Sequence, residues 1–281
     1  MPNNKSGTAG AVIQVSIIIP AYNRKEKLLK ALRSVFMQEG AAFEVIVVDD
    51  GSADGTREML EKNFPSVQYF YQSNQGPAAA RNRGIERARG RWIAFLDSDD
   101  EWLPGKLKAQ FEFFEQNPDY LIHQTEEIWI RNGRRVNPMK KHRKYGGWIF
   151  EKCLPLCLIS PSAVMMHRRL FEKLGLFDES LPACEDYDLW LRVSCRYPVG
   201  LTEKPYAVKY GGHADQRSHE FPAMDRFRIY ALKKILASGK LNPTQAEAAQ
   251  KMLEEKEKIY NQGAFKRGRT ADVLASPAGA Q

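Results

Sequence analysis

Short apolar runs alternate with segments of helical periodicity between residues 15 and 96, and this alternation constrains the fold more than any other feature. The runs at 15–19, 43–48, 67–71 and 92–96 are rich in β-branched and aromatic residues and have the length of strands. The segments between them carry apolar residues at helical spacing. The alternation predicts right-handed crossovers and an α/β fold, in which helices flank a mainly parallel central sheet.

The segments between the strands also begin with residues that favour helix starts. Asn23 and Asp54 are predicted N-caps of the first two helices, and Gly76 with Pro77 opens a third that should end near Gly90. In parallel sheets of this kind, ligands bind beyond the carboxyl ends of the strands. The residues that directly follow each strand are therefore the first candidates for chemistry.

The second half of the chain is less regular. Its patterns predict helices at 106–116, 185–197, 221–238 and 243–262, a strand or hairpin at 120–130, and a strand at 163–166. The Gly-, Ala- and Arg-containing tail, 263–281, is predicted to fray.

Size and composition exclude collagen-like, fully disordered and disulfide-scaffold proteins. The 281 residues are 43% hydrophobic and 27% charged, which is ordinary for a globular protein. No apolar run approaches the roughly 18 residues of a membrane-spanning helix, and the N-terminus lacks the apolar core of a secretory signal, so we expect a soluble, cytoplasmic protein. The 4 cysteines form no CxxC pair, which favours reduced thiols over a zinc site or a disulfide framework.

The charge is positive and unevenly distributed. The net charge is +8, and residues 131–144 include seven Lys or Arg and no acidic residue. A basic protein favours anionic partners such as nucleic acid, phosphorylated small molecules or an anionic membrane face, although a solvated loop explains the same pattern. We hypothesise that this stretch and the basic C-terminal helices face an anionic acceptor or a membrane surface.

Two acidic clusters follow predicted strands. Asp49 and Asp50 end the second strand, and Asp97, Asp99 and Asp100 end the fourth, so both clusters should lie at one edge of the sheet. Clustered carboxylates repel one another unless a positive charge neutralises them, and a hard divalent cation shared with substrate phosphates does so. The alternative is that these aspartates cap turns or helices.

Four further residues have both a functional and a structural interpretation. Tyr22 could stack on a base or be partly buried, and Arg81, near a helix N-terminus, could bind a diphosphate or form a surface ion pair. Asp186 could act as a general base or complement a helix dipole. His213, in a glycine-flanked loop, could ligate a metal, bind a phosphate or simply be exposed.

Taken together, these motifs resemble those of glycosyltransferase family 2 over roughly residues 14–220. The motifs that carry the resemblance, in the family's order, are VSIIIPAYNR, VIVVDDGSADGT, NQGPAAARNRG, WIAFLDSDDEWLPGKL and EDYDLWLR. The resemblance implies the GT-A fold, with a Rossmann-like sheet and here a C-terminal helical extension. It also implies transfer of a sugar from a nucleotide diphosphate sugar, most simply a UDP- or dTDP-sugar, with inversion and usually with Mn²⁺ or Mg²⁺.

The resemblance also implies a role for each matching residue. Pro20, Ala21 and Tyr22 would line the base pocket, and Asp50, with Asp49 beside it, would recognise the base. Arg81 would approach the diphosphate or sugar.

The remaining matches concern the metal and the acceptor. Asp97, Asp99 and Asp100 match the DxD region, where Asp99 would lie near the ribose or metal and either Asp99 or Asp100 would ligate the metal. Asp186 would be the catalytic base, and His213 would approach the metal or diphosphate.

On this basis the chain is divided into four parts: a flexible start (1–14), a nucleotide-sugar-binding half (15–105), an acceptor-binding half (106–220) and a helical extension with its tail (221–281). The expected acceptor is a carbohydrate or a lipid-linked sugar of the cell surface, peripheral membrane contact is possible, and nucleic acid is not expected as a partner. Two alternatives stay open: a sugar-phosphate nucleotidyltransferase, and a basic module that binds nucleic acid or membrane without catalysis.

Overall fold

The fold is known from a computed structural model that describes residues 12–212, 220–221 and 223–266. Its strands are β1 Val15–Ala21, β2 Phe43–Asp49, β3 Gln68–Tyr71, β4 Trp92–Phe95, β5 Glu101–Trp102, β6 Ile122–Arg131, β7 Arg134–Val136, β8 Val164–His167 and β9 Gly200–Gly211. Its α-helices are α1 Lys25–Phe36, α2 Thr56–Asn63, α3 Pro77–Arg87, α4 Lys106–Gln116, α5 Phe150–Cys153, α6 Arg169–Leu174, α7 Glu185–Ser194, α8 Asp225–Ala237 and α9 Pro243–Lys266.

The described strands form one sheet in the order β3-β2-β1-β4-β8-β6-β9-β5, with β7 paired to β6 outside this path. The β3-β2-β1-β4 half is parallel throughout, which confirms the predicted alternation of strands and helices. Beyond it, β8 runs antiparallel to both β4 and β6, whereas β6 and β9 are parallel to each other. Strands β2 and β3 lie on one side of β1 and β4 lies on the other, so the order of the strands reverses between β1 and β4. In α/β sheets, ligands bind in the crevice at such a switch point.

Helices cover both faces of the sheet, as the composition of β1 requires. Ile17 and Ile19 pack into the cluster formed with α1 and α4, whereas Ile18 points to the other face, and none of the three is exposed. Burial of each such side chain contributes about 1.5–3 kcal/mol to folding. The β-branched run is therefore a central strand that is buried on both faces.

The prediction that Asn23 caps α1 is wrong. Asn23 adopts a left-handed conformation (φ 48°), and its Oδ1 accepts the N–H of Ala53 at 2.8 Å. Helix α1 begins at Lys25, whose N–H donates to Asp54 at 2.8 Å, and Asp54 also accepts the N–H of Thr56 at 3.1 Å. Asp54 thus serves the first turns of both α1 and α2, which ties together the loops that follow β1 and β2.

The sequence patterns also missed β5 and β9 and misplaced the C-terminal boundary. Strand β9 spans 12 residues, but Pro205 and register shifts near Thr125 and Glu126 of β6 interrupt its two-residue periodicity. Helix α9 continues to Lys266, past the start of the predicted frayed tail at residue 263. Within the described residues, no helix is both long enough and apolar enough to span a bilayer.

Candidate active site

The loops that follow β1, β2, β3 and β4 converge at the carboxyl edge of the parallel half-sheet. Asn23 N–H donates to Ser52 Oγ at 2.9 Å, which joins the first two loops. Arg24 Nη1 lies 2.5 Å from Asp99 Oδ2, so an ion pair spans the crevice between β1 and β4. The predicted site residues of the first half of the chain therefore do come together at one edge.

The end of β1 presents one exposed aromatic side chain to this edge. Ala21 is buried and Pro20 is half-buried, whereas Tyr22 is 47% exposed. A ring with this exposure can offer one face to a planar ligand such as a nucleobase. The segment therefore combines a fixed backbone with an available stacking surface.

Asp49 and Asp50 are buried, and protein donors engage their carboxylates. Asp49 accepts hydrogen bonds from Tyr69 Oη and from Ser52 N–H, both at 2.8 Å. Asp50 accepts three more from the loop after β3, at 2.8 Å each, whose donors are Gln72 Nε2, Gln75 N–H and Gly76 N–H. Both aspartates hold the loops around the crevice in place, and their recognition of a base stays a prediction.

The three aspartates after β4 have different environments. Asp97 Oδ1 lies 2.8 Å from Arg81 Nη2, and the side chains of Asp97 and Asp99 are 26% and 13% exposed. Asp100 is only 2% exposed and accepts hydrogen bonds from Ser162 Oγ at 2.6 Å and Tyr210 N–H at 3.1 Å. Asp97 and Asp99 therefore face the crevice, while Asp100 anchors the loop from below.

The electrostatics of this loop follow from burial and from the nearby cations. Burial alone would raise the pKa of Asp97, but the charges of Arg81 and Lys209 outweigh it and hold that pKa below its ordinary value. Burial raises the pKa of Asp100 well above its ordinary value, despite the opposing charge of Lys209, because Asp97 and Asp99 add negative charge beside it. Additional positive charge at this loop would relieve that repulsion.

The carboxylates at the crevice suit a hard divalent cation to which the protein contributes only some of the ligands. The described residues include no group of three or more His, Cys, Asp and Glu side chains arranged around a metal position. Mg²⁺ and similar cations are, however, commonly held by one or two carboxylates together with substrate phosphates. Asp97 and Asp99 supply carboxylate oxygens at the crevice, so the site fits a cation that is completed by a bound diphosphate.

Arg81 lies at the centre of the site. The side chain is buried, and its two terminal nitrogens pair with Asp97 at 2.8 Å and with Glu185 at 2.6 Å. Its third nitrogen, Nε, is buried and has no hydrogen-bond partner among the described residues. A buried donor without a partner is costly, so the two ion pairs must compensate for it.

Helix α7 brings a second pair of carboxylates to the same place. Cys184, which precedes the helix, has a left-handed conformation (φ 63°) that turns the chain sharply into its first turn. Glu185 is buried against Arg81, and its burial raises its pKa in spite of that partner, with Asp186 adding to the rise. Asp186 is only half-buried, so it is the more accessible of the two carboxylates.

Two further residues lie next to Asp186 and the Asp97–Asp100 loop. The sequence patterns did not identify either of them as functional. Cys157 Sγ lies 3.2 Å from Asp186 Oδ2. Lys209, on β9, donates to Ser160 Oγ at 3.2 Å; burial lowers its pKa, but Glu127 and Asp100, followed by Asp97, raise it above its ordinary value. Neither belongs to a local motif, because each reaches the site only through the pairing and packing of the second half of the chain. His213, the remaining predicted site residue, lies outside the described residues.

Comparison with known sequences identifies a family for this arrangement. The family model described as Glycosyl transferase family 2 matches residues 16–175. An uncharacterized glycosyltransferase of Rickettsia bellii is 36% identical over 193 residues, which cover 68% of this chain but 28% of that protein. A putative teichuronic acid biosynthesis glycosyltransferase of Bacillus subtilis, TuaG, is 46% identical over 103 residues, which cover 35% of this chain and 41% of that protein. The chain thus spans less than a third of the length of the first of these relatives.

Solved structures share the fold at low sequence identity. TarS 1-349 of S. aureus, solved in complex with UDP-GlcNAc, superposes with a TM-score of 0.73 at 20% identity and covers 93% of this chain and 76% of that one. The mannosyltransferase PcManGT of Pyrobaculum calidifontis, solved with GDP-Man and Mn²⁺, has a TM-score of 0.62 at 16% identity and covers 97% and 77% of the two chains. The sheet and its flanking helices therefore form a GT-A fold.

Proposed function

The chain belongs to glycosyl transferase family 2, and from that premise we propose that it transfers a sugar from a UDP- or dTDP-sugar to a hydroxyl group of an acceptor. One observation carries the proposal: Arg81 joins the crevice aspartate Asp97 to the first turn of α7, which bears Asp186. Groups suited to hold a departing diphosphate and a carboxylate suited to accept a proton are thus connected through one buried side chain.

The donor would bind along the crevice between β1 and β4. Tyr22 would stack on the base, and the loops held by Asp49 and Asp50 would enclose it. Arg81 would lie beside the diphosphate or sugar while it holds Asp97 and Glu185 in place. The nucleotide sugars bound to TarS and PcManGT support a nucleotide-linked donor for this chain as well.

Asp99 is our proposed ligand for Mn²⁺ or Mg²⁺, with Asp97 beside it. Asp99 is preferred over Asp100 because Asp100 is buried and both of its oxygens accept hydrogen bonds from the protein. When bound, such a cation would neutralise the negative charge that develops on the leaving diphosphate. The Mn²⁺ in the PcManGT complex supports the same choice of ion.

Asp186 would act as the general base. It would accept the proton of the acceptor hydroxyl while that oxygen attacks the anomeric carbon and the bond from that carbon to the diphosphate oxygen breaks. A single displacement inverts the anomeric centre and needs no nucleophile from the protein. Under this scheme residues 15–105 carry the donor and residues 106–220 approach the acceptor.

The acceptor would be a carbohydrate or a lipid-linked sugar used in cell-surface polysaccharide synthesis. The name of TuaG, a putative teichuronic acid biosynthesis enzyme, supports this assignment. To test the function, UDP-, dTDP- and GDP-sugars would be incubated with the protein and Mn²⁺, and the released nucleotide would be measured. We expect turnover of a uridine or thymidine donor by the wild type and little by Asp186→Asn. The proposal fails if no donor is consumed and no nucleoside diphosphate stabilises the protein against heat.

A further inference from the structure

We propose that the basic hairpin, residues 131–143, docks the protein onto an anionic lipid bilayer. The hairpin comprises the end of β6, the Asn132-Gly133 turn, β7 and the short 3₁₀ turn at Lys140–His142. The turn has positive φ at both central residues, 49° and 74°, as tight hairpins of this twist require.

The hairpin carries a dense set of unpaired cations. Its six basic side chains are all exposed, none forms an ion pair with another described residue, and no acidic residue lies in the segment; they are Arg131, Arg134, Arg135, Lys140, Lys141 and Arg143. Lys144, in contrast, is buried and lies 3.4 Å from Glu127, so it belongs to the interior. Clusters of about four to eight Lys and Arg residues are typical of proteins that bind anionic lipid headgroups.

The hairpin presents these charges from a fixed base. The indole of Trp129, on β6, packs against His142 with ring centroids 5.1 Å apart, and the guanidinium of Arg131 lies 5.9 Å from the same indole. The segment that returns from β7 is thereby pinned to β6. Because β7 is paired with β6 and the turn at 140–142 contacts Trp129, docking would order mainly side chains, which lowers its entropic cost.

The distribution of charge favours a broad surface over a single extended polymer. Arg134 and Arg135 are consecutive residues of β7 and point to opposite faces of the hairpin. Charge therefore surrounds the tip instead of lining one groove. Met139, which is 61% exposed, adds an apolar side chain among the cations, and this combination suits the interface of a bilayer.

The hairpin also lies beside the candidate active site. In the β6–β9 pairing, Trp129 is opposite Lys209 and Arg131 is opposite Gly211. The tip therefore begins about 7 Å along the strand from Lys209, at the rim that holds Asp100 through Tyr210 N–H. Docking at the tip would turn this rim toward the membrane surface.

Vesicle co-sedimentation tests the inference independently of any transferase activity. The wild type would be mixed with vesicles of phosphatidylcholine alone or with added phosphatidylglycerol, at about 0.1 M and about 0.5 M salt. We compare R134E/K140E/K141E with K62E/K173E/K251E, which reverses three exposed lysines on α2, α6 and α9 and changes the net charge equally. Thermal melting establishes that both variants fold.

We expect the wild type to sediment with the anionic vesicles at low salt and to be released at high salt. The hairpin variant should bind at least about ten-fold more weakly, and the control variant within about two-fold of the wild type. Equal weakening of both variants would indicate a nonspecific charge effect and would overturn the proposal. Absence of wild-type binding to vesicles would also overturn it, including the case in which the protein binds soluble polyphosphate instead.

Discussion

Arg81 and Glu185 form a buried ion pair, with 2.6 Å between Nη1 and Oε1, that connects α3 to the first turn of α7 across 104 residues of sequence. The same guanidinium holds Asp97 at 2.8 Å. The crevice edge that bears Asp97 and the helix that bears Asp186, the proposed base, are thus connected through one side chain. A substitution of Arg81 on α3 can therefore change the geometry at the start of α7.

Removing the charge of Arg81 should destabilise the protein. Arg81→Gln leaves two carboxylates without their cation, and breaking a buried pair in this way typically costs about 3–5 kcal/mol. The free energy of unfolding, measured in urea, should fall by that amount. As a control, Arg57→Gln breaks a pair with Glu61 that is exposed on both sides and should leave the unfolding curve unchanged. Equal, small effects of the two variants would contradict the central role of Arg81.

Substitutions of Asp186 and Glu185 should have different effects, the first on the rate of catalysis and the second on the free energy of unfolding. Asp186→Asn removes the proposed base and should lower kcat by about 10²–10⁴-fold, with little change in the Kd for nucleotide. Glu185→Gln weakens the partner of Arg81 and should mainly lower the free energy of unfolding. Steady-state kinetics, calorimetry and urea unfolding on both variants would check this division. Full activity of Asp186→Asn would eliminate that residue as the base.

The thiol of Cys157 should tune the pH dependence of the reaction. Burial raises its pKa well above the ordinary value, so the thiol stays protonated and can donate to Asp186 Oδ2 at 3.2 Å. Cys157→Ala removes this donor. Loss of an S–H···O hydrogen bond worth about 0.7 kcal/mol should move the acidic limb of the pH profile of kcat to higher pH by about half a pH unit. Cys157→Ser, which keeps a donor, should leave the limb in place. If the profiles of both variants overlay that of the wild type, Cys157 only fills space.

Stability should fall in mild acid because of His123. Burial lowers the pKa of His123 to about 3, and the charge of Lys106 adds to the effect. The unfolded chain binds a proton near pH 6.5 and the folded protein does not, so this stability is complete above pH 6.5 and is lost progressively as the pH falls toward 3. Between pH 7 and pH 5 the loss should be about 2 kcal/mol.

His123→Gln keeps polar atoms near Gln110 and Thr202 but does not titrate. Urea unfolding at pH 7, 6 and 5 should therefore show a flatter dependence on pH for the variant than for the wild type. Parallel pH dependences for the two proteins would show that His123 is not responsible for the loss.

Local pattern was sufficient to predict the parallel half of the sheet. The β-branched runs of β1 and β2 are buried on both faces, so composition and hydrogen bonding favour the same structure there. Strand β9 was missed because it is partly exposed and carries a proline and register shifts, and its position depends on pairing with β6. Its role is therefore decided by tertiary contacts and not by propensity.

The candidate site likewise has residues that the sequence could predict and residues that it could not. Asp97, Asp99 and Tyr22 follow strands directly, and their convergence could be predicted from the topology of a parallel sheet. Lys209 and Cys157 could not, because neither lies in a recognisable motif and both reach the site through long-range packing. The prediction that Asn23 caps α1 was wrong for a related reason. Asp54, from the neighbouring loop, accepts the hydrogen bond from Lys25 N–H.

Calorimetric titration with UDP, with and without Mn²⁺, tests the central claim most directly. The wild type should bind UDP tightly only when Mn²⁺ is present, and in the presence of Mn²⁺ Asp99→Asn should bind UDP at least about ten-fold more weakly. Binding of UDP that is equally strong without Mn²⁺ and in Asp99→Asn, or no binding at all, would contradict the assignment of this crevice as the nucleotide-diphosphate site.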